Sequence, residues 1–206
     1  MSAPTSVWDM SLAAFRDAIE TRSMPGCGAA AAASAGFGLA LMLKGLRISE
    51  SKAPDVQRAA LIERADALLE ELGRYADEDI EAFDAYMAAL RGPRDSAREG
   101  IRRDQAIERA ALQANRIPLA TAQLCRDALE LTVAALPLTA ANLHSDTIAG
   151  GLLLHSGLSG VLLNVDANIE SLPDAAQREA AARSRKSLQH DADRRVEWLQ
   201  RQAGTT

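Results

Sequence analysis

The chain has 206 residues, of which 48% are hydrophobic and 25% charged, so it is expected to fold around a substantial core rather than be disordered. The net charge of −5 and the 3% aromatic content argue against a nucleic-acid-binding protein, which needs a basic surface and stacking side chains. Cys27 and Cys125 are too few and too far apart for a disulfide framework or a metal site, so we expect a reducing, cytoplasmic location.

The predicted elements are all helices, because apolar residues recur at helical spacing and no alternating strand pattern is present. The first three predicted helices cover residues 8–20, the Ala-rich segment up to about residue 46, and residues 56–90. Ser11 or Asp9 is expected near the start of the first helix. The polar residues 49–54 are expected to form the loop before the third helix.

The second half of the chain continues with three more predicted helical segments. One begins with Asp95 as its N-cap and is expected to end or kink at Pro118, after which helix continues to residue 136. The fifth main helix begins with Ser145 or Asp146 as its cap and reaches residue 169, and the last covers residues 174–202. Residues 1–7 and 203–206 are expected to fray. The sequence therefore predicts a single all-α domain over residues 1–206, with about five to seven mostly long helices in an orthogonal or bundle-like array.

Two uncharged stretches, residues 24–43 and 147–165, approach the length that a bilayer requires. The first is mostly Ala and Gly, and the second contains His155, Ser156 and Asn164. Neither has the Leu, Ile and Val density or the basic flanks of a typical membrane span. We expect both to be closely packed helices of the core, with no membrane insertion.

Asp79 lies at helical spacing between Tyr75 and Phe83, within an apolar stripe of the long third helix. An ionised carboxylate is costly in a core unless it is paired. Asp79 is therefore either a functional acid or a structural group, such as a cap, an ion-pair partner of an Arg, or a residue where the stripe reaches solvent.

Polar residues and glycines share one face of the fifth main helix. Asp146 and Asn164 lie five full turns apart on this face, with Gly150, Gly157 and Gly160 between them and Asn168 beyond. The glycines permit close approach of either a ligand or another helix. The polar residues are expected either to orient a ligand or to cap and bridge helices.

A glycine-containing segment, Pro25-Gly26-Cys27-Gly28, precedes the Ala-rich helix and offers backbone N–H groups to an anion. The positive helix end favours a lowered pKa for Cys27, but no base accompanies the thiol, so a packed thiol is expected. Five arginines at positions 91, 94, 98, 102 and 103 form either a solvated face or a site for a negatively charged ligand tail. The three histidines have no metal-binding spacing, so no metal site is predicted.

Several short motifs occur together in one order along the chain. They are Pro25-Gly26-Cys27-Gly28, Asp79-Ile80-Glu81-Ala82-Phe83-Asp84, Arg103, Ile117-Pro118-Leu119, Ser145-Asp146 and Asn164-Val165-Asp166-Ala167-Asn168. From about residue 10 to residue 170, the sequence resembles the formiminotetrahydrofolate cyclodeaminase / methenyltetrahydrofolate cyclohydrolase family.

This resemblance implies an all-α homodimer with a folate site near the dimer interface. It implies hydrolysis of 5,10-methenyltetrahydrofolate to 10-formyltetrahydrofolate, with Asp79 or Asp146 transferring protons and with no metal or redox cofactor. The absence of a fused transferase domain favours this hydrolysis over ammonia release from 5-formiminotetrahydrofolate. The residues expected to bind the substrate are Pro25, Gly26, Gly28, Phe83, Arg103, Asn164 and Asn168.

Three departures from the family pattern favour a divergent member. Cys27 and Ala29 stand where the family has glycine and serine, and Arg47 and Lys52 replace a lysine-bearing loop. The residues before Ser145 also lack the usual Gly-Asn. An alternative is therefore a non-catalytic helical dimer that keeps the fold as a binding module.

Overall fold

The computed structural model describes residues 6–203, and no strand occurs among them, which confirms the all-α prediction. Short 3-10 turns flank or connect the long helices. The six α-helices are α1 (Leu12–Thr21), α2 (Cys27–Lys52), α3 (Val56–Leu90), α4 (Ala97–Ala135), α5 (His144–Asn168) and α6 (Ala175–Ala203).

The starts of the helices are fixed mostly by side-chain caps. Ser11 accepts a hydrogen bond from the Ala14 N–H at the start of α1, as expected. At α4 the N-cap is Ser96 rather than Asp95, because Ser96 and Glu99 form a reciprocal capping box.

The predicted cap of α5 is wrong. The helix begins at His144 without a side-chain cap, so Ser145 and Asp146 lie inside its first turn. Asp146 instead accepts a hydrogen bond of 2.7 Å from Lys44 on α2. An acidic group in this turn still interacts favourably with the positive end of the helix.

Two predicted breaks do not occur. Helix α2 continues to Lys52, and Ser49 lies within it, donating to the Gly45 carbonyl and accepting from the Ala140 N–H. Helix α4 continues through Pro118, so the proline does not end it. At both places, a hydrogen bond to another element pairs a polar group that would otherwise have no partner.

The core is built around the close packing of α2 against α5. A Cβ on Gly150 would lie 3.1 Å from the Met42 nitrogen, and a Cβ on Gly157 would lie 2.8 Å from the Ala35 Cβ. The pairing of low-numbered residues of α2 with high-numbered residues of α5 makes the two helices antiparallel. The glycines of α5 therefore serve helix packing, because any side chain there would separate the backbones.

Helices α2 and α5 are long and apolar enough to cross a membrane by length and composition. In this structure 67% of the apolar window of α2 and 50% of that of α5 are buried. Their side chains, including Leu39, Met42, Leu158 and Leu162, belong to one hydrophobic cluster with residues of α3, α4 and α6. The expectation that both stretches form core helices agrees with this packing.

The expected fraying at residues 1–7 and 203–206 falls mostly outside the described residues. Within them, Val7 is buried and its N–H donates to Asp77, while the Ser6 hydroxyl donates to the same carboxylate. Ala203 is the last residue of α6. Residues 6 and 7 therefore make specific contacts with α3, and fraying of the outermost residues stays a prediction.

Candidate functional site

A cavity of about 300 Å³ lies where the N-terminus of α2 meets the C-terminal third of α3, the middle of α4 and the end of α5. Its volume is at the lower end of the range for small-molecule sites. The lining residues are Ser23, Met24, Gly26, Cys27, Asp79, Ala82, Phe83, Tyr86, Met87, Ala114, Ile117, Pro118, Asn164 and Asn168.

Asp79 is held in this cavity by the helix that begins beside it. The Ala29 N–H at the start of α2 donates to Oδ2 over 3.0 Å, and the Asn164 Nδ2 lies 3.5 Å from Oδ1. The carboxylate also occupies the space beside Gly28 where any other residue would place its Cβ. Gly28 therefore contributes space for Asp79 rather than a direct contact with the cavity.

Burial raises the pKa of Asp79 above its ordinary value, because removing a carboxylate from water disfavours the charged form. The hydrogen bonds from Ala29 and Asn164 act in the opposite direction and limit the rise. The group is therefore suited to accept and return a proton closer to neutral pH than an exposed aspartate.

The other polar groups of the cavity are neutral. Asn164 and Asn168 contribute side-chain amides, and no Lys, Arg or His of residues 6–203 lines the cavity. Asn168 donates from Nδ2 to the Ala114 carbonyl over 2.9 Å. With one carboxylate and no cation, the cavity favours a ligand that carries positive charge or hydrogen-bond donors.

Cys27 lies at the edge of the cavity, and its thiol donates to the Gly160 carbonyl with a sulfur–oxygen distance of 3.3 Å. Burial raises the pKa of Cys27, and the nearby charge of Asp79 raises it further. These effects outweigh the positive end of α2, so the pKa of Cys27 is not lowered. Cys27 is nevertheless an exposed residue, so the expected packing of its thiol in the interior does not occur, and the thiol is hydrogen-bonded at the edge of the cavity instead.

Asp146 does not lie near Asp79 within one subunit. It is paired with Lys44, and its 18-residue separation from Asn164 along α5 corresponds to about 27 Å of helix rise. The shared face predicted for the two residues exists, but it places them at opposite ends of the α2–α5 contact. One chain therefore does not combine Asp79 and Asp146 into a single acid pair.

Arg103 also lies outside the cavity. Its guanidinium donates to the Leu90 carbonyl over 3.0 and 3.3 Å, and so caps the C-terminal end of α3. Pro25 is buried, does not line the cavity, and follows a cis peptide bond after Met24. Of the residues predicted to bind substrate, four line the cavity, namely Gly26, Phe83, Asn164 and Asn168.

Tyr86, Met87 and Met24 line the cavity but were not predicted as site residues, although Tyr86 lies on the apolar stripe that contains Asp79. Tyr86 and Met87 follow Asp79 by seven and eight residues, which places them two turns along the same side of α3. This spacing could have predicted that both residues lie near Asp79. Met24 had no such signal, because its position depends on the fold of the segment before α2.

A second, larger groove of about 680 Å³ lies between α3 and α4. It shares Ala82 and Ile117 with the Asp79 cavity and is lined by Arg109 and Arg116. Arg116 lies 3.8 Å from Glu78, whereas Arg109 has no ion-pair partner among the described residues. These two arginines, rather than Arg103, lie next to the cavity.

Comparison with known proteins gives the family of the chain. Residues 11–187 match the formiminotransferase-cyclodeaminase family. The chain is 31% identical over 172 residues to a methenyltetrahydrofolate cyclohydrolase of Methylorubrum extorquens, covering 82% of this chain and 83% of that protein. It is also 31% identical over 182 residues to the formimidoyltransferase-cyclodeaminase of Sus scrofa, covering 82% of this chain but 32% of that longer protein.

The fold also matches a solved structure, that of formiminotetrahydrofolate cyclodeaminase from Thermotoga maritima. The TM-score is 0.82 at 20% sequence identity, and the match covers 95% of this chain and 96% of the other. This likeness shows that the two proteins share the same helical fold. From the match to residues 11–187 and the identity to the bacterial relative, the chain belongs to the formiminotransferase-cyclodeaminase family.

Proposed function

We propose that the protein is a folate one-carbon enzyme that hydrolyses 5,10-methenyltetrahydrofolate to 10-formyltetrahydrofolate. The similarity to a methenyltetrahydrofolate cyclohydrolase over most of both chains supports this activity. The observation that carries the proposal is Asp79, a carboxylate of raised pKa held in a cavity that no cationic side chain of the described residues lines.

The charge of the cavity suits the proposed substrate. The methenyl carbon lies between two nitrogens of an amidinium cation, so a carboxylate stabilises the bound substrate and a nearby Lys or Arg would oppose it. Phe83 and Tyr86 add apolar surface on which the flat rings of a folate pack. The side-chain oxygens of Asn164 and Asn168 are expected to accept hydrogen bonds from the ligand.

In the proposed reaction, Asp79 accepts a proton from water as the water oxygen attacks the methenyl carbon. The tetrahedral adduct that forms is neutral, and Asp79 then returns its proton to N5 as the bond between N5 and the carbon breaks. The hydroxyl of the adduct loses its proton to solvent as the carbonyl forms, so the formyl group stays on N10 and one proton is released overall. The Ala29 N–H holds Oδ2, so Oδ1 is the oxygen that moves the proton. No electrons are transferred, and the proposal requires no cofactor.

Ammonia release from 5-formiminotetrahydrofolate is the second candidate. Its support is the 31% identity to the formimidoyltransferase-cyclodeaminase of Sus scrofa, which equals the identity to the cyclohydrolase. The same carboxylate serves this reaction, in which N10 attacks the formimino carbon and Asp79 passes the N10 proton to the departing amine. The two activities thus share one site and differ in the nucleophile.

The substitutions in the glycine segment do not argue for a non-catalytic protein. The backbone N–H of Ala29 holds Asp79 whatever side chain that residue carries, and Gly28 still leaves space for the carboxylate. The Cys27 thiol donates to the Gly160 carbonyl. A homodimer and a cytoplasmic location stay predictions that accompany the proposed function.

An assay with two substrates tests the proposal. The purified protein is expected to remove the near-ultraviolet absorbance of 5,10-methenyltetrahydrofolate faster than buffer alone, and to release no ammonia from 5-formiminotetrahydrofolate. Ammonia release without hydrolysis would replace the first candidate with the second. Turnover of neither compound would contradict both and would support the binding module.

A further inference from the structure

Pro118 lies in the middle of α4 and lines the Asp79 cavity. In an α-helix the N–H of each residue donates to the carbonyl four residues earlier, which for position 118 is that of Ala114. Proline has no N–H, so the Ala114 carbonyl lacks its usual donor. The helix nevertheless continues without interruption from Ala97 to Ala135.

The donor that replaces the missing N–H comes from α5. The Nδ2 of Asn168 donates to the Ala114 carbonyl over 2.9 Å, and both residues line the cavity. The carbonyl that the proline leaves open is therefore the acceptor that holds the Asn168 side chain. A sequence pattern in α4 thus sets the orientation of a side chain at the end of α5.

A second hydrogen bond runs between the same two helices in the opposite direction. Asn115, which is only 3% exposed, donates from Nδ2 to the Asn168 backbone carbonyl over 3.0 Å. The Ser171 hydroxyl donates to the same carbonyl over 2.6 Å. Both the backbone and the side chain of Asn168 are therefore held, and its Oδ1 has no hydrogen-bond partner among the described residues.

We propose that Pro118 is a positioning residue that acts through Asn168. By leaving the Ala114 carbonyl open, it fixes the Asn168 amide so that Oδ1 is presented to an N–H donor of the ligand. Asn115 supports the same arrangement from the interior of α4. That the ligand is a folate rests on the proposed function, whereas the orientation of Asn168 does not.

The Pro118→Ala variant tests this arrangement because it restores an N–H that competes for the Ala114 carbonyl. We expect the KM for 5,10-methenyltetrahydrofolate to rise about three- to tenfold, the effect of one weakened hydrogen bond, with kcat changed less than about twofold. Asn168→Ala should raise KM by a similar factor, and the double variant no further. Pro137→Ala, at an exposed proline outside the cavity, should leave KM unchanged.

A readout that needs no turnover separates this proposal from the proposed function. The side-chain amide of Asn168, assigned in ¹⁵N NMR spectra by its loss in Asn168→Ala, should exchange slowly in the wild type and faster in Pro118→Ala. Asn168→Leu provides a second variant, because it keeps the size of the side chain without charge but can neither donate to Ala114 nor accept from the ligand, and its KM should rise like that of Asn168→Ala.

Two results would overturn the proposal. One is an Asn168 amide whose shift and exchange rate are the same in the wild type and in Pro118→Ala. The other is a double variant whose rise in KM equals the product of the rises in Pro118→Ala and Asn168→Ala. That result would mean that the two residues act independently. A wild type without turnover would contradict the proposed function alone, since the NMR comparison would still decide the role of Pro118.

Discussion

The carboxylate of Asp79 lies where a side chain at position 28 would begin. A Cβ built on Gly28 would be within 2.6 Å of all three atoms of the carboxyl group. The next residue, Ala29, donates its N–H to the same carboxylate. Two successive residues at the start of α2 therefore determine the position of Asp79, one by the space it leaves and one by the hydrogen bond it makes.

Gly28→Ala should displace the Asp79 carboxylate and weaken its bond to Ala29. We expect a loss of about 1–3 kcal/mol in the free energy of unfolding, as for other overpacked sites. Turnover should fall by about 10²-fold, because a proton-transferring group misplaced by about 1 Å loses much of its effect. Denaturant unfolding and the absorbance assay measure the two effects.

Gly100→Ala is the matched control, since a Cβ there has nothing within 4 Å and the residue lies in a helix. It should stabilise the protein by about 0.5–1 kcal/mol and leave turnover unchanged. Full activity in Gly28→Ala would contradict the role of Gly28.

Asp79→Asn should become more stable than the wild type as the pH rises. The pKa of Asp79 is raised in the folded state by burial, so folding favours the protonated acid. The stability that this group contributes is fully present below the unfolded pKa of about 3.9, and it is lost as the pH rises through the folded pKa. Asparagine is neutral throughout and can still accept from the Ala29 N–H.

The measurement is the free energy of unfolding of both proteins from about pH 4 to pH 8, a range that starts near the unfolded pKa of aspartate. The difference in favour of Asp79→Asn should grow with pH and then become constant above the folded pKa. A difference that shrinks with rising pH would mean that the folded protein stabilises the ionised carboxylate instead.

Arg103→Ala should reduce stability without affecting the substrate. The charged guanidinium donates to the Leu90 carbonyl at the end of α3, and its loss should cost about 1–2 kcal/mol. The KM should stay within about twofold of the wild type, since the side chain lies outside the cavity. Arg102→Ala, at an exposed residue one position away, should change neither quantity. A clear rise in KM for Arg103→Ala alone would support the substrate contact that the family resemblance implied.

Asp146→Asn should keep at least half of the wild-type turnover. Within one subunit Asp146 is paired with partly exposed Lys44 at the far end of α5, and losing such a pair costs at most about 1 kcal/mol. Loss of turnover would contradict this account and indicate a site shared between subunits. Activity regained by mixing the inactive Asp79→Asn and Asp146→Asn proteins would then show that one site contains Asp79 of one subunit and Asp146 of the other.

Periodicity along single helices predicted much of the candidate site. The spacing of α3 singled out Asp79, and that of α5 singled out Asn164 and Asn168, and all three line one cavity. The same spacing also aligned Asp146 with Asn164, but residues aligned over five turns of a helix are necessarily far apart. A shared helical face predicts which side chains point in the same direction, but not which of them are in contact.

Features that depend on contacts between helices could not be predicted. Nothing in the local sequence shows that Arg103 reaches back to Leu90, or that a side chain of α5 satisfies the carbonyl left open by Pro118. The rule that proline ends a helix failed at Pro118 because another element supplies the missing hydrogen bond. Such contacts appear only when the chain is packed.

The most direct test of the account compares the wild type with Asp79→Asn in the hydrolysis of 5,10-methenyltetrahydrofolate, with Glu81→Gln as the control. Glu81 is an exposed acid on α3 outside the cavity. We predict that the wild type and Glu81→Gln turn over the substrate and that Asp79→Asn loses about 10²- to 10⁴-fold in kcat while remaining folded. Equal kcat values for the wild type and Asp79→Asn would contradict it.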